Sequence, residues 1–118
     1  MLNLLQPEFE HTDSRRSLKQ LLTADIKQVN TYQVTKGAML GEHYHKLTYE
    51  YFYVVKGSFL VVLRSIGVKG KVSQVLNKES LFCVQPFIVH TLEALTNGEI
   101  ITFLTKPYTK EHSDTYRE

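Results

Sequence analysis

The chain has a single cysteine in 118 residues, Cys83, so no disulfide can form within it. Its neighbours Leu81, Phe82 and Val84 are apolar, which makes Cys83 a small core hydrophobe and not a nucleophile. Charge of one sign is not gathered anywhere. Lys and Arg number 14 against 12 Asp and Glu, a formal charge of +2, and the two signs are interspersed. A nucleic-acid surface would need a basic stripe and a solvated interaction arm an acidic block, and the chain offers neither. The longest apolar runs, such as Phe59 to Leu63, are too short to cross a bilayer, and the first residues lack a basic stretch followed by an apolar one. The expectation is a cytoplasmic protein with no nucleic-acid and no membrane partner. Internal repeats and low-complexity stretches are missing too, and the length suits one core, not two.

What is present is β-forming sequence. Runs rich in Val, Ile, Tyr, Phe and Thr predict strands over 26–35, 39–45, 50–56, 58–65, 71–76, 81–84, 90–95 and 99–105. Turn chemistry separates them at Lys36-Gly37, Lys56-Gly57, Gly67 with Gly70, Asn77-Lys78, Pro86 and Asn97-Gly98. Asn97-Gly98 is the preferred two-residue hairpin signal. The pattern predicts an all-β, single-domain antiparallel sandwich or barrel. Residues 1–25 form a leading segment, 26–105 the barrel core and 106–118 a tail outside it. In 14–24, Leu18, Leu21 and Leu22 fit helical spacing while the same residues fit a short strand, and both readings stay open.

Chemistry is concentrated in His43-x-His45-x4-Glu50. Side chains two apart in a strand share a face, so the two imidazoles point the same way. Four residues then leave room for the chain to turn and return Glu50 to the same point. His90 is the available fourth donor. Three imidazoles and a carboxylate suit one divalent ion, Zn, Fe, Mn, Ni or Co, with room left for water or substrate. Alternation in 50–56 puts Phe52 and Val54 on the face of Glu50, lining a small-molecule pocket. Tyr51 and Tyr53 fall on the other face, where a second copy of the chain would cover them, so a homodimer is expected. By the same parity Tyr44 faces outward. His11 and His112 read as solvated, Lys46 and Arg64 as charged edge residues with the option of anchoring a phosphate.

The stretch Gly37-x5-His43-x-His45-x4-Glu50-x6-Gly57 resembles the first motif of the cupin family, whose fold is a small jelly-roll β-barrel. Val84-Gln85-Pro86-Phe87-Ile88-Val89-His90 resembles its second motif. Phe87 stands there in place of the usual glycine, Gln85 in place of proline, and Ala94 in place of asparagine. Arg15-Arg16-Ser17-Leu18, Ile26 to Asn30, Gly41 to Lys46 and the closing Asp114-Thr115-Tyr116-Arg117 are similar to the order of features in nucleotide-sugar cupins. That branch includes the dTDP-4-dehydrorhamnose 3,5-epimerase-like proteins, the dTDP-sugar 3,4-ketoisomerases and the C-terminal cupin domain of capsular-polysaccharide epimerase/reductases. The resemblance implies a jelly-roll barrel, a metal held by His43, His45, Glu50 and His90, and a sugar or nucleotide sugar as ligand.

The branch's reaction takes a proton from the carbon beside a sugar ketone and returns it elsewhere. A metal-bound imidazole nitrogen has no lone pair left for that task, so a tyrosine such as Tyr53, or water, would move the proton. Three readings from different classes stand side by side. They are a sugar epimerase or ketoisomerase, another metal-dependent cupin enzyme such as an Fe(II) dioxygenase, and a non-catalytic cupin that binds a small ligand.

Overall fold

The computed structural model describes residues 4–118, and among them the protein is all-β, with ten strands and no helix. The strands are β1 (Phe9–Thr12), β2 (Ser17–Gln20), β3 (Gln28–Val34), β4 (Met39–His43), β5 (Glu50–Lys56), β6 (Phe59–Ser65), β7 (Val72–Leu76), β8 (Leu81–Val84), β9 (Ile88–Ala94) and β10 (Gly98–Leu104). All eight expected strands form. The segment left open between helix and strand is β2, which pairs antiparallel with β1.

Two four-stranded antiparallel sheets, ordered β3-β10-β5-β8 and β4-β9-β6-β7, enclose the core. From β3 onward each strand enters the sheet opposite its predecessor, with one exception, the β6–β7 hairpin. This jelly-roll path corrects the expectation at Asn97-Gly98. That pair joins β9 to β10 across the sheets, so it makes no hairpin. Its residues do other work: the Asn97 side-chain oxygen accepts from the Lys36 amide at 2.8 Å. A Cβ on Gly98 would lie 2.7 Å from the Phe59 ring, so close packing of the two sheets requires glycine there.

Alternation sends one side of every central strand inward. In β5, Glu50, Phe52 and Val54 are buried while Tyr51, Tyr53 and Val55 are only partly covered, as parity predicts. Ile100, Thr102 and Leu104 of β10 and Phe59, Val61 and Leu63 of β6 face the same interior. Phe52 and Phe82 stack with centroids 4.8 Å apart. Each such side chain removed from water contributes roughly 1.5–3 kcal/mol.

One departure from regular pairing sets up the site. Along β4, Gly41 pairs with Thr91 and His43 with His90, so Glu42 is an extra residue opposite no partner, a β-bulge. Leu40, opposite Leu92, packs on the core. Simple alternation would next send Glu42 inward, but the bulge delays the turn by one residue and delivers His43 to the interior instead. Gly41 and Glu42 accommodate it at φ +98° and +63°. A Cβ at Gly41 would lie 2.4 Å from the His90 carbonyl oxygen, so the strands could not close on each other with any other residue there.

Candidate metal centre

The donors sit on separate pieces of chain that the barrel gathers at one end. His43 ends β4, His45 follows in the loop, Glu50 opens β5 and His90 lies within β9. One donor atom from each lies within 4.8 Å of all the others. His45, Glu50 and His90 are 4%, 7% and 1% exposed, and His43 is half-buried. Ring centroids of His43 stand 5.2 Å from His45 and 4.5 Å from His90. The Glu50 Oε1 atom lies 3.0 Å from His45 Nε2 and 3.5 Å from His90 Nε2. Four donors about 2.1 Å from one tetrahedral ion would stand roughly 3.4 Å apart. The arrangement fits a divalent ion.

Hydrogen bonds at the far side of each ring point the coordinating nitrogen inward. His45 Nδ1 donates to the Asp114 carbonyl at 2.7 Å, and His90 Nδ1 to the Ile88 carbonyl at 3.2 Å. Both then present Nε2 to Glu50, the orientation metal-binding histidines need. Burial alone would push the Glu50 carboxyl up, but hydrogen bonds from His45 and His90 outweigh it and hold it down at about 2. Burial lowers His45, yet its bonds to Glu50 and the Asp114 carbonyl prevail and raise it. Burial, then the neighbouring His90 and His45, push His43 down to about 4, so its ring is neutral near pH 7 with a lone pair to give.

Asp114 was not foreseen as part of the site. At φ +47°, its carboxylate accepts from the amides of Lys46, Leu47 and Thr48 at 3.1, 2.9 and 2.9 Å and from the Thr48 hydroxyl at 2.7 Å. Burial would raise this carboxyl, but the Thr48 hydroxyl and the three amides lower it. The segment expected as a tail is exposed over most of its length, yet it returns to clamp the loop between His45 and Glu50. Tyr116 completes the return by exchanging backbone hydrogen bonds with Tyr44. The closing Asp114-Thr115-Tyr116-Arg117 motif was the available signal.

Tyr53 lies away from the donors. It sits three residues from Glu50 on β5 and therefore on the outer face, which removes it from the chemistry. A cavity of about 60 Å³ adjoins the donors, with His43, Glu50 and His90 on one side and Tyr32, Phe52 and Thr102 among its other walls. Tyr32, and not Tyr53, is the tyrosine that lines this cavity; it stands opposite Ile100 on the inward face of β3, 37% exposed. The remaining candidates are accounted for as structural. Tyr44 packs against Tyr116 at 5.6 Å, Lys46 Nζ stands 4.1 Å over the Tyr116 ring, and Arg64 pairs with Glu118. His11 bonds Asp13 on the surface, and His112 is exposed. Burial raises the Cys83 thiol to about 11, consistent with an inert residue. Among the described residues no helix is long and apolar enough to cross a membrane.

Comparison with known proteins places this geometry. The sequence profile of the family described as Polysaccharide biosynthesis C-terminal domain matches residues 11–116. No curated protein sequence matches. Among solved structures, the capsular polysaccharide assembling protein CapF of Staphylococcus aureus superposes with a TM-score of 0.72 at 22% identity, over 98% of this chain and 32% of that one. The sugar 3,4-ketoisomerase QdtA of Thermoanaerobacterium thermosaccharolyticum, solved in complex with TDP, gives 0.81 at 19% identity over 99% of this chain and 88% of that one. The rmlC epimerase of Mycobacterium tuberculosis gives 0.75 at 22% identity over 92% and 65%. The chain therefore has the fold of the RmlC-like cupins, and it spans about a third of the CapF chain.

Proposed function

Because this chain belongs to the polysaccharide biosynthesis C-terminal domain family, we propose that it is a sugar-modifying cupin. It shifts a proton at the carbon beside the carbonyl of a nucleotide-linked sugar, giving epimerisation or ketoisomerisation. The observation that carries the reading is the convergence of four donors, three of them buried, beside a cavity lined by His43, Glu50 and His90 and by a tyrosine. Similarity of fold to an epimerase and to a ketoisomerase supports it.

His43, His45, Glu50 and His90 would hold one divalent ion, and such an ion, when bound, supplies polarisation of a carbonyl oxygen. Phe52 and Ile100 line the cavity with apolar surface. With three imidazoles committed to the ion, Tyr32 is the titratable group of the cavity wall outside the donor set. It lines the cavity and is partly open to solvent, and its hydroxyl moves the proton between substrate carbon and solvent. Asp114 keeps the His45 ring in place through its carbonyl. The half-buried outer residues Tyr51, Tyr53, Ile101 and Phe103 offer a second copy of the chain a contact face.

Incubation with nucleotide 4-keto sugars, TDP-4-keto-6-deoxyglucose first, in deuterated water tests the reaction. Deuterium should enter the sugar beside its carbonyl, and Tyr32→Phe should slow its entry by about 100-fold or more. No incorporation into any such sugar would contradict the reading and leave an Fe(II) oxygenase or a non-catalytic binder in its place.

A further inference from the structure

Each of the two large sheets has two edge strands, β3 and β8 in one and β4 and β7 in the other. Three of these edges are accounted for. β8 takes Leu4 opposite Phe82, and the Leu5 amide donates to the Leu81 carbonyl at 2.8 Å. β4 carries the bulge at Glu42, and its line is continued by the pairing of Tyr44 with Tyr116. β3 borders the donor cavity, which its Tyr32 lines. β7 is different. It pairs with β6 in unbroken register from Val72 to Leu76, and among the described residues no strand or bridge meets its other side. Its residues Val72-Ser73-Gln74-Val75-Leu76 include no charge, proline or bulge, the devices that keep an exposed edge from recruiting another strand. Val72 stands opposite Leu63 and Val75 opposite Leu60, so the two valines project to opposite faces, 40% and 48% exposed. A strand added along this edge would cover both.

Charge tells what kind of strand fits. Although the two signs balance over the whole chain, no acidic residue stands between Glu50 and Glu79. Exposed Lys69 and Lys71 precede β7 and exposed Lys78 follows it, and none of the three makes an ion pair among the described residues. Glu79, the next acid along the chain, is engaged by Lys19 at 2.9 Å. Antiparallel pairing of β7 with the same strand of a second copy would gather three lysines from each chain on one seam, so a second copy is a poor occupant. We propose that the outer edge of β7 is a docking site for an extended acidic segment of a partner protein, which joins the sheet as a further strand. Backbone hydrogen bonds to β7 set the register, alternate side chains of the segment pack on Val72 and Val75, and carboxylates at its two ends meet Lys69 with Lys71 and Lys78. The five residues of β7 span roughly 17 Å, which sets the separation of the two acidic ends.

A synthetic peptide of alternating valine and threonine, with aspartate and glutamate at both ends, tests the proposal on the full chain. Fluorescence anisotropy of the labelled peptide should show saturable binding that weakens as salt rises from about 50 mM to about 500 mM. Amide hydrogen exchange should slow along β7 when the peptide is present and stay unchanged along β3. A proline at the centre of the peptide keeps its charge and removes a backbone donor, whereas lysines at its ends keep the strand and reverse the charge. Each of these peptides should bind at least about tenfold more weakly. Lys69→Glu combined with Lys71→Glu, on the exposed turn before β7, should weaken the acidic peptide by at least about tenfold and leave the melting temperature unchanged. Absence of saturable binding to the parent chain, equal binding of the proline peptide, or protection at strands other than β7 would overturn the proposal. Self-association of the parent chain that Ser73→Lys abolishes would put a second copy on this edge and overturn it too. Binding to phosphatidylserine vesicles, with the β7 amides left unprotected by the peptide, would assign the lysines to a lipid surface and have the same consequence.

Discussion

At one end of the barrel interior Val54, Phe59, Val61 and Ala94 are buried to 1% or less, and every contact they offer is apolar. Six residues back along the chain from Lys56, at the start of the same strand β5, Glu50 lies among His43, His45 and His90. The first end gains from burial alone. The second holds a carboxylate and three imidazoles out of water, which is tolerable only where partners or an ion compensate. Backbone strain is concentrated toward the polar end but is not confined to it. Of four non-glycine residues at positive φ, Glu42, Phe87 and Asp114 border the polar end, while Glu79, whose amide donates to the Val54 carbonyl at 2.8 Å, lies at the other. Phe87 is tied to the polar end by its amide, which donates to the His45 carbonyl at 2.7 Å. Stability made at the apolar end supports a strained and charged arrangement at the other.

Mutations should separate the two ends. Phe82→Ala, which empties a fully buried ring position behind the Phe52 stack, should cost about 3–5 kcal/mol in chemical denaturation. The folded fraction should bind metal as before; lost affinity at equal folding would show that the ends are not independent. Gly41→Ala should cost about 2–3 kcal/mol, since its Cβ meets backbone and its φ disfavours any side chain. Here metal binding should fail together with stability, because β4 cannot close on His90. Asp114→Ala should weaken metal affinity about 10–100-fold, because losing the carboxylate frees the loop over Lys46, Leu47 and Thr48 and loosens the tail whose backbone carbonyl orients the His45 ring. Calorimetric titration that finds parent-like affinity would remove the tail from the site.

Acidification should act least on stability near neutrality. His43 is held below its ordinary 6.5, so the unfolded chain takes up its proton first and stability falls as pH drops from about 7 toward 4. His45 is raised, so its gain comes in as pH falls toward 6.5 and is complete below it, ahead of the His43 loss, which it partly offsets over the whole interval. The net change between pH 7.5 and 5.5 should stay within about 1 kcal/mol. Glu50 reverses this below 4.5: its contribution is complete above that value and is lost as pH falls toward 2. A melting temperature that drops steeply between pH 7 and 5.5 would contradict this assignment.

Much of this arrangement was legible in the chain. Strand positions follow from β-branched and aromatic runs, and the inward face of β5 follows from parity. The spacing of His43, His45 and Glu50 foretold their meeting, although Gly41 and the bulge, not simple alternation, turn His43 inward. Parity also held the means to reject Tyr53, which is an odd number of positions from Glu50. Tyr32 and Thr102 carried no local mark, because their nearness to the donors comes from sheet pairing over long sequence separations. Asp114 reaches His45 across 69 residues, a closure that no local pattern encodes. Asn97-Gly98 misled because a turn signal states that the chain reverses and not which sheet it joins.

Metal content of the purified protein, after loading with Zn, Mn, Ni or Fe(II) and dialysis, tests the convergence of the four donors most directly. The account predicts about one ion per chain, and a His45→Ala variant that folds normally should lose it, with affinity reduced at least about 10–100-fold. A parent chain that retains no ion, or a His45→Ala variant that retains as much as the parent, would contradict it.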